Sequence, residues 1–215
     1  FLINRDFTQS NRWTKVCALQ EIGNKGISEF KLDLIAHLFN PDQMIREMAG
    51  WALYKIDPQE YYKSTLRLDE VTKRSLDASI LPGNSQMKLR LFEKVIFFQR
   101  LELFSGVSGV TSSFLADISK EQKLVAGQFL PIDKTVNSDF FIVYKGRVQY
   151  HEQNKQMTDF TRGQFIGEML ASTGVTNSCG LMAKEESILL KINKDELYEL
   201  LSDSVTLADV FLKYT

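Results

Sequence analysis

The sequence predicts an α+β protein with an all-helical first part and a strand-rich second part. Through the first 80 residues apolar side chains recur at steps of three and four, which is typical of amphipathic helices. After about residue 122 the pattern changes to short β-rich runs separated by turn residues, as in an all-β sandwich or barrel. The breaker cluster from Leu81 to Ser85 lies between the two patterns. We therefore predict two domains, residues 1–85 and residues 86–215.

Composition excludes several classes of protein. The 215 residues are 44% apolar and 25% charged, which is an ordinary globular balance. The formal net charge of −1 provides no basic field for nucleic-acid binding, and two cysteines cannot make a disulfide framework. No apolar run approaches the roughly 18 residues that span a bilayer, and the start, Phe1, does not resemble a signal peptide. We expect a cytoplasmic piece of a longer chain, with no nucleic-acid partner and no membrane insertion of its own.

Two helices are predicted in the first part from periodicity and from stop signals. The segment from Ile27 to Phe39 has helical apolar spacing, with Ser28 as its N-cap. Pro41 disfavours helix at the residue before it and ends this helix. Asp42 then caps a second helix, which ends before Pro58.

An internal echo links this second helix to an earlier one. At a fixed offset, four residues of one segment match four of the other: Arg12, Ala18, Leu19 and Ile22 against Arg46, Ala52, Leu53 and Ile56. The pattern resembles a HEAT-type repeat, in which small residues let helices approach and aliphatic residues fill the layer between them. Chance similarity of two amphipathic helices is the alternative. Since a solenoid usually needs three repeats, further repeats would precede this chain, or the pair would dock on the second domain.

The remaining elements follow in order along the chain. Residues from about Thr65 to Leu89 are expected to form the connection, followed by a helix from about Gln86 to Leu101. Another short helix is indicated by Phe114, Leu115, Ile118 and Leu124. Asn193 is expected to cap a closing helix, with Glu196 completing a pattern like a capping box. The β-rich runs between them are Gln122 to Ile132, Phe140 to Tyr150, Met157 to Phe165 and Leu181 to Ile192.

An ordered series of short motifs in this part resembles the cyclic-nucleotide-binding domain family over about residues 90–205. The motifs are Phe104-Ser-Gly-Val, Val125-Ala-Gly, Ile132-Asp, Phe141-Ile-Val-Tyr-Lys-Gly, Gly163-Gln-Phe-Ile-Gly-Glu-Met, and Ala183 followed by Ile188-Leu-Leu-Lys-Ile. The resemblance implies an eight-stranded β-roll of the jelly-roll type, a double-stranded β-helix, with flanking helices. It also implies a phosphate-binding cassette between two strands, here residues 163–183.

The cassette of the family binds the cyclic phosphate at the start of a short helix, where free N–H groups and the helix dipole favour an anion. By the resemblance, Gly167 allows close approach and Glu168 accepts a hydrogen bond from the ribose hydroxyl. The alternative for Glu168 is that its carboxylate caps the start of the short helix. The family's Arg-Ser-Ala-Thr pattern falls on Asn177-Ser178-Cys179-Gly180. The tentative ligand-binding residues are Ile166, Gly167, Glu168, Met169, Leu170, Ala171, Asn177, Ser178 and Cys179.

The arginine that pairs with the phosphate is missing from this cassette. Glu168 is the one charged residue in the sequence from Gly163 through Ala183. Loss of a charge-assisted bidentate contact costs on the order of 1.5–3 kcal/mol, or at least about 10-fold in affinity. We therefore predict that cAMP and cGMP bind weakly or not at all, and that the domain holds no cofactor. Arg147 or Arg162 could substitute for the arginine. The alternation of side chains along the strand does not decide on which face of the sheet Arg147 lies.

No catalytic or metal-binding constellation accompanies the cassette. His37 and His151 lie in different halves without a cysteine pair or carboxylate cluster at ligand spacing. Neither a phosphate loop nor a nucleophile elbow is present, and Cys179 stands where the family uses a small packing residue. We expect a protein that is not an enzyme.

Two functional hypotheses remain from the sequence. The first is a regulatory or interaction module of a larger polypeptide, which acts on a protein partner or on another domain of its own chain. Helices of the HEAT type followed by this roll resemble the cytoplasmic extension of some bacterial transport proteins of the ATP:ADP-antiporter or major-facilitator kind. The second is a sensor of a cyclic nucleotide or another small anion, bound at residues 163–183 by backbone amides and hydroxyls in place of arginine.

Overall fold

The computed structural model describes residues 11–83, 88–132, 139–151, 157–166 and 179–212. The fold class is α+β, as predicted, with helices first and antiparallel sheets after them. The chain forms two compact units, residues 1–96 with 108–113, and residues 97–107 with 114–215. The domain boundary at residues 85–86 stays a prediction. Within the described ranges, no helix has the length and apolarity to cross a membrane.

The helices before the sheets are short and most begin at a side-chain cap. Their bounds are α1 Arg12–Lys25, α2 Lys31–His37, α3 Gln43–Ile56, α4 Pro58–Thr65, α5 Glu70–Ile80, α6 Leu91–Gln99 and α7 Gly109–Ile118, with 3-10 turns at Ser28–Phe30 and Glu102–Phe104. Asp42 caps α3 as predicted, accepting from the N–H groups of Met44 at 2.9 Å and Ile45 at 3.2 Å. Asp57 caps α4 with Pro58 at its first turn.

Two of the helix predictions are wrong in detail. Ser28 does not cap α2, because a 3-10 turn precedes this helix and its N-cap position, Phe30, makes no side-chain cap bond. The presumed connection from Thr65 to Leu89 contains the helix α5, whose N-cap Asp69 accepts from the Thr72 N–H at 2.9 Å. The signals for this helix are present in the sequence, because Asp69 is a capping residue and Leu76 and Ile80 lie four positions apart on one helix face.

Close packing of α1 on α3 involves one small residue of the echo, Ala52. Leu19, Ala52 and Leu53 are fully buried. A Cβ on Gly23 would lie 2.6 Å from Trp51 Cζ3 and 2.9 Å from Ala52 Cα, closer than atoms pack. The two helices therefore meet where one of them has no side chain. This is the approach expected of stacked helices, and the assignment to HEAT-type repeats stays a prediction.

The four predicted β-rich runs each divide into two strands. The eight described strands are β1 Ser119–Leu124, β2 Phe129–Ile132, β3 Phe140–Lys145, β4 Arg147–His151, β5 Thr158–Thr161, β6 Phe165–Ile166, β7 Cys179–Ala183 and β8 Ser187–Ile192. Gly127, Gly146 and Gly163 lie at three of the divisions with φ of 80°, 86° and 86°. Positive φ suits glycine, so these positions turn the chain between strands.

Each run passes from one sheet to the other. One sheet has the order β1-β8-β3-β6 and the second has the order β2-β7-β4-β5, all antiparallel. The two members of every run thus belong to different sheets, and the inward side chains of both sheets form one apolar core. Helices α8 Lys194–Asp203 and α9 Val205–Leu212 follow β8. Asn193 caps α8 as predicted, accepting from the N–H groups of Asp195 and Glu196 at 2.9 and 3.2 Å.

Candidate functional site

The predicted cassette lies between β6 and β7, and the structure describes both of its anchors. Ile166 is the last residue of β6, and Cys179 is the first residue of β7. Both side chains are 1% exposed and belong to the core cluster. The other tentative site residues, Gly167 through Ala171 with Asn177 and Ser178, lie outside the described residues. Their assignment to ligand binding stays a prediction.

The anchors are fixed to opposite sheets. Ile166 pairs with Phe141 of β3, and Cys179 pairs with Ile132 of β2. Cys179 also donates from Sγ to the Ile132 carbonyl oxygen at 3.3 Å. A buried thiol with this partner packs as a small apolar group, as the sequence predicts for this position. The cassette therefore starts on one sheet and ends on the other.

The space between the two sheets is filled by apolar side chains. Residues from all eight strands contribute to it: Leu124, Ile132, Phe141, Val143, Val148, Tyr150, Phe160, Ile166, Cys179, Leu181, Ala183 and Leu189. None of the described members of this cluster carries a charge. A cyclic phosphate placed among them would lose its hydration without gaining a cation. Burial of such an unpaired charge costs on the order of several kcal/mol.

A small cavity is lined in part by Ile132 and Phe141, the strand partners of the two anchors. It measures about 60 Å³ and is lined by Gln122, Leu130, Pro131, Ile132, Asp139, Phe141 and Lys191. Sites for ligands of nucleotide size usually measure about 300 to 1,000 Å³. This volume holds a few water molecules at roughly 10 to 15 Å³ each and is too small for a nucleotide.

The cation at this cavity is already paired. Lys191 Nζ lies 2.7 Å from Asp139 Oδ2, and the Asp139 side chain is only 7% exposed. Asn193 Nδ2 also approaches Asp139 Oδ1 at 3.5 Å. The buried carboxylate offsets the attraction of this lysine for an external anion. An anion that displaced Asp139 would leave the Asp139 charge buried and unpaired.

Arg147, the first substitute for the missing arginine, points away from the core. It is exposed, whereas Val148 and Tyr150 of the same strand are fully buried. Strand parity therefore places Arg147 on the outer face of its sheet. The sequence left this parity open because both faces of the strand region carry apolar residues.

Arg162, the second substitute, is engaged by two aromatic rings. Its guanidinium carbon lies 5.0 Å from the ring centroids of both Phe97 and Tyr144. One guanidinium nitrogen also donates to the Tyr144 carbonyl oxygen. These contacts hold Arg162 on the turn between β5 and β6, where cation–π attraction favours this position.

The histidines show no metal chemistry in the described part of the chain. His37 Nδ1 lies 2.7 Å from the Asp33 carbonyl oxygen within its own helix. His151 packs edge-on to Phe129, with centroids 6.5 Å apart. No group of three potential metal ligands occurs among the described residues.

The ion pair of Asp139 with Lys191 and the aromatic contacts of Arg162 were not identified from the sequence. Neither has a local pattern, because each joins residues far apart in the chain. The register of β3 with β8, which pairs Phe141 with Lys191, is what brings the Lys191 side chain near Asp139.

Comparison with known proteins places the strand-rich part in a family. Residues 121–204 match the model of the cyclic nucleotide-binding domain. No curated protein matches the chain. Among solved structures, the sensor domain of the transcriptional regulator DNR from Pseudomonas aeruginosa is 18% identical, with 56% of this chain and 88% of that chain covered and a TM-score of 0.47.

Two further structures are similar over a shorter share of their length. The regulatory domain of Toxoplasma gondii PKA with cAMP is 13% identical, with 58% of this chain and 49% of that chain covered and a TM-score of 0.47. The Thermus thermophilus catabolite activator protein is 16% identical, with 52% and 55% covered and a TM-score of 0.44. The chain thus spans about half the length of these two structures. Its residues 121–204, which include the cassette and both of its anchors, form a domain of the cyclic nucleotide-binding family.

Proposed function

We propose that the chain is a non-enzymatic regulatory or interaction module whose cyclic nucleotide-binding domain has lost high-affinity binding of cAMP and cGMP. It acts within a larger polypeptide, on a protein partner or on another domain of the same chain. Its place is the cytoplasm, as the cytoplasmic portion of a membrane protein such as a transporter. In this proposal residues 1–85 are a HEAT-like segment and residues 86–215 are the β-roll domain.

The observation that supports this proposal is that three described cations of the roll are paired, held by aromatic rings or directed outward. Lys191 is paired with buried Asp139, Arg162 is held by Phe97 and Tyr144, and Arg147 faces outward. The sequence adds only the negative charge of Glu168 between Gly163 and Ala183. In this proposal an anion at the cassette would depend on backbone N–H groups and hydroxyl groups in place of a cation.

Backbone N–H groups bind phosphate, but the family resemblance adds an arginine for a physical reason. A guanidinium makes two parallel charge-assisted hydrogen bonds that are about twice as strong as neutral ones. Without that contact we expect an affinity at least about 10-fold weaker, with a further loss wherever the phosphate is desolvated.

A thermal-shift screen of the 215-residue chain tests this proposal against the sensor hypothesis. We expect no rise of the melting temperature with cAMP, cGMP or inorganic phosphate at about 50 µM, which is 100 times a submicromolar Kd of about 0.5 µM. A ligand present at 100 times its Kd stabilises a protein by about 2.7 kcal/mol. For a chain of this size that is a rise of several degrees.

Asn177→Arg and Asn177→Gln are the matched variants for this screen. Arginine at position 177 restores the missing cation, whereas glutamine changes size without charge. A rise with cAMP in the arginine variant alone would attribute the loss to this position. A rise of several degrees in the unmodified chain with either nucleotide would contradict the proposal and establish a sensor.

A further inference from the structure

We propose that Arg162 is a positioning residue that couples the strand entering the cassette to the end of helix α6. The inference rests on the proposed function, because it names the contact through which a displacement of the cassette region would reach the end of helix α6. The Arg162 contact is defined here as Arg162 with Phe97 of α6 and Tyr144 of β3. All three residues belong to the same compact unit.

The three side chains form a cluster of two edge-to-face rings and one cation. The rings of Phe97 and Tyr144 lie 4.9 Å apart at an interplanar angle of 63°. The guanidinium carbon of Arg162 lies 5.0 Å from each ring, and its N–H donates to the Tyr144 carbonyl. Phe97 is only 3% exposed, so the arginine covers a ring that is already part of the core.

The backbone that follows Arg162 is hydrogen-bonded to β3. The Gly163 N–H donates to the Val143 carbonyl at 2.8 Å, and the Val143 N–H donates to the Gln164 carbonyl at 3.1 Å. Gln164 Oε1 in turn accepts from the Thr161 N–H at 2.6 Å. The turn is therefore a rigid piece of backbone, and β6 follows directly after it.

The same turn packs closely on the chain after α6. Gly163 has a φ of +86°, and a Cβ there would lie 2.9 Å from Leu101 Cδ2. Two contacts thus join the turn to the region from Phe97 to Leu101, one through Arg162 and one through the bare backbone of Gly163. A displacement of β6 would have to move this region or break the Arg162 contact.

Lysine cannot reproduce this contact in full. An ammonium is a point charge on a flexible stem, whereas a guanidinium is planar, stacks on rings and donates from several nitrogens in fixed directions. We therefore expect lysine at position 162 to keep part of the attraction to the rings, and glutamine to keep little of it.

Hydrogen exchange of the full 215-residue chain, without any ligand, tests the coupling. The reporters are the amide of Gly163 on the turn and the amide of Leu101, which donates to the Phe98 carbonyl at 3.0 Å. In Arg162→Gln we expect exchange of both amides to rise together by about 5-fold. Arg162→Lys should give a smaller rise, and Arg147→Gln, on the outer face, should leave both unchanged.

A rise at Gly163 without a rise at Leu101, or no rise at either, would overturn the proposal. If Arg162→Gln does not fold, Phe97→Leu removes the ring and keeps an apolar side chain, and it must then raise exchange at Gly163. Since no nucleotide is present, these outcomes are independent of the thermal-shift screen, which alone decides the loss of ligand binding.

Discussion

Glu47 is a carboxylate buried inside the helical unit, where its charge is costly. It is only 4% exposed and accepts hydrogen bonds from Gln43 Nε2 and from the Leu91 N–H, both at 2.8 Å. Burial raises the pKa of Glu47 above its ordinary value of 4.5, against the opposing effects of these two bonds and of the nearby Lys94 and Arg90. Glu47 therefore holds the first turn of α6 by a hydrogen bond, while its carboxylate loses the solvation that would stabilise its charge.

Stability should depend on pH through Glu47. Because its pKa is raised on folding, the folded chain binds this proton more tightly than the unfolded chain does. The contribution is therefore fully present below about pH 4.5 and is lost as the pH rises through the raised pKa. We expect the free energy of unfolding of the unmodified chain, relative to Glu47→Gln, to fall from pH 4.5 to neutral pH.

Guanidinium unfolding of both proteins at a series of pH values measures this difference. Glutamine keeps one oxygen that can accept from the Leu91 N–H and loses the acceptor for Gln43 Nε2. That loss does not depend on pH, so the change of the difference with pH reports the Glu47 charge. Parallel stability profiles of the two proteins across this range would show that the Glu47 pKa is not raised.

Asp42 joins two elements of the helical unit through one carboxylate. Its Oδ1 caps α3, and its Oδ2 lies 2.7 Å from Arg12 Nε at the start of α1. The cap satisfies N–H groups that the helix cannot, and the negative charge suits the positive end of the helix dipole. The ion pair is half-buried, with side chains 18% and 28% exposed for Arg12 and Asp42.

Asp42→Ala and Asp42→Asn separate the cap from the ion pair. Alanine removes both, and we expect a loss of about 1–2 kcal/mol in the free energy of unfolding. Asparagine keeps a capping oxygen and removes the charge, so its loss should be clearly smaller. Denaturant titration of both variants beside the unmodified chain measures this, and equal losses would assign the stabilisation to Arg12 rather than to the cap.

Caps and breakers are the elements that the sequence predicts best, because they are local. Asp42 and Asn193 are capping residues as expected, whereas Ser28 is not, because a 3-10 turn precedes its helix. The four β-rich runs were not divided into strands from the sequence, although a glycine next to a polar or charged residue lies at three of the divisions. Gly146 turns the chain between Tyr144 and Val148 with a φ of 86°, yet no breaker cluster surrounds it.

The β-roll as a whole could be predicted only through the order of its motifs. No single run indicates which sheet it joins, because the pairing of β1 with β8 links residues at opposite ends of the domain. The candidate site shares this limit. Its missing arginine is visible in the sequence, whereas the partners that engage Lys191 and Arg162 follow from long-range pairing.

Calorimetric titration of the 215-residue chain with cAMP, and separately with cGMP, tests the central claim most directly. The apolar interior, the paired Lys191 and the arginine-free cassette together predict no binding in the submicromolar range for either nucleotide. A saturable heat with a submicromolar Kd for cAMP or cGMP would contradict the account.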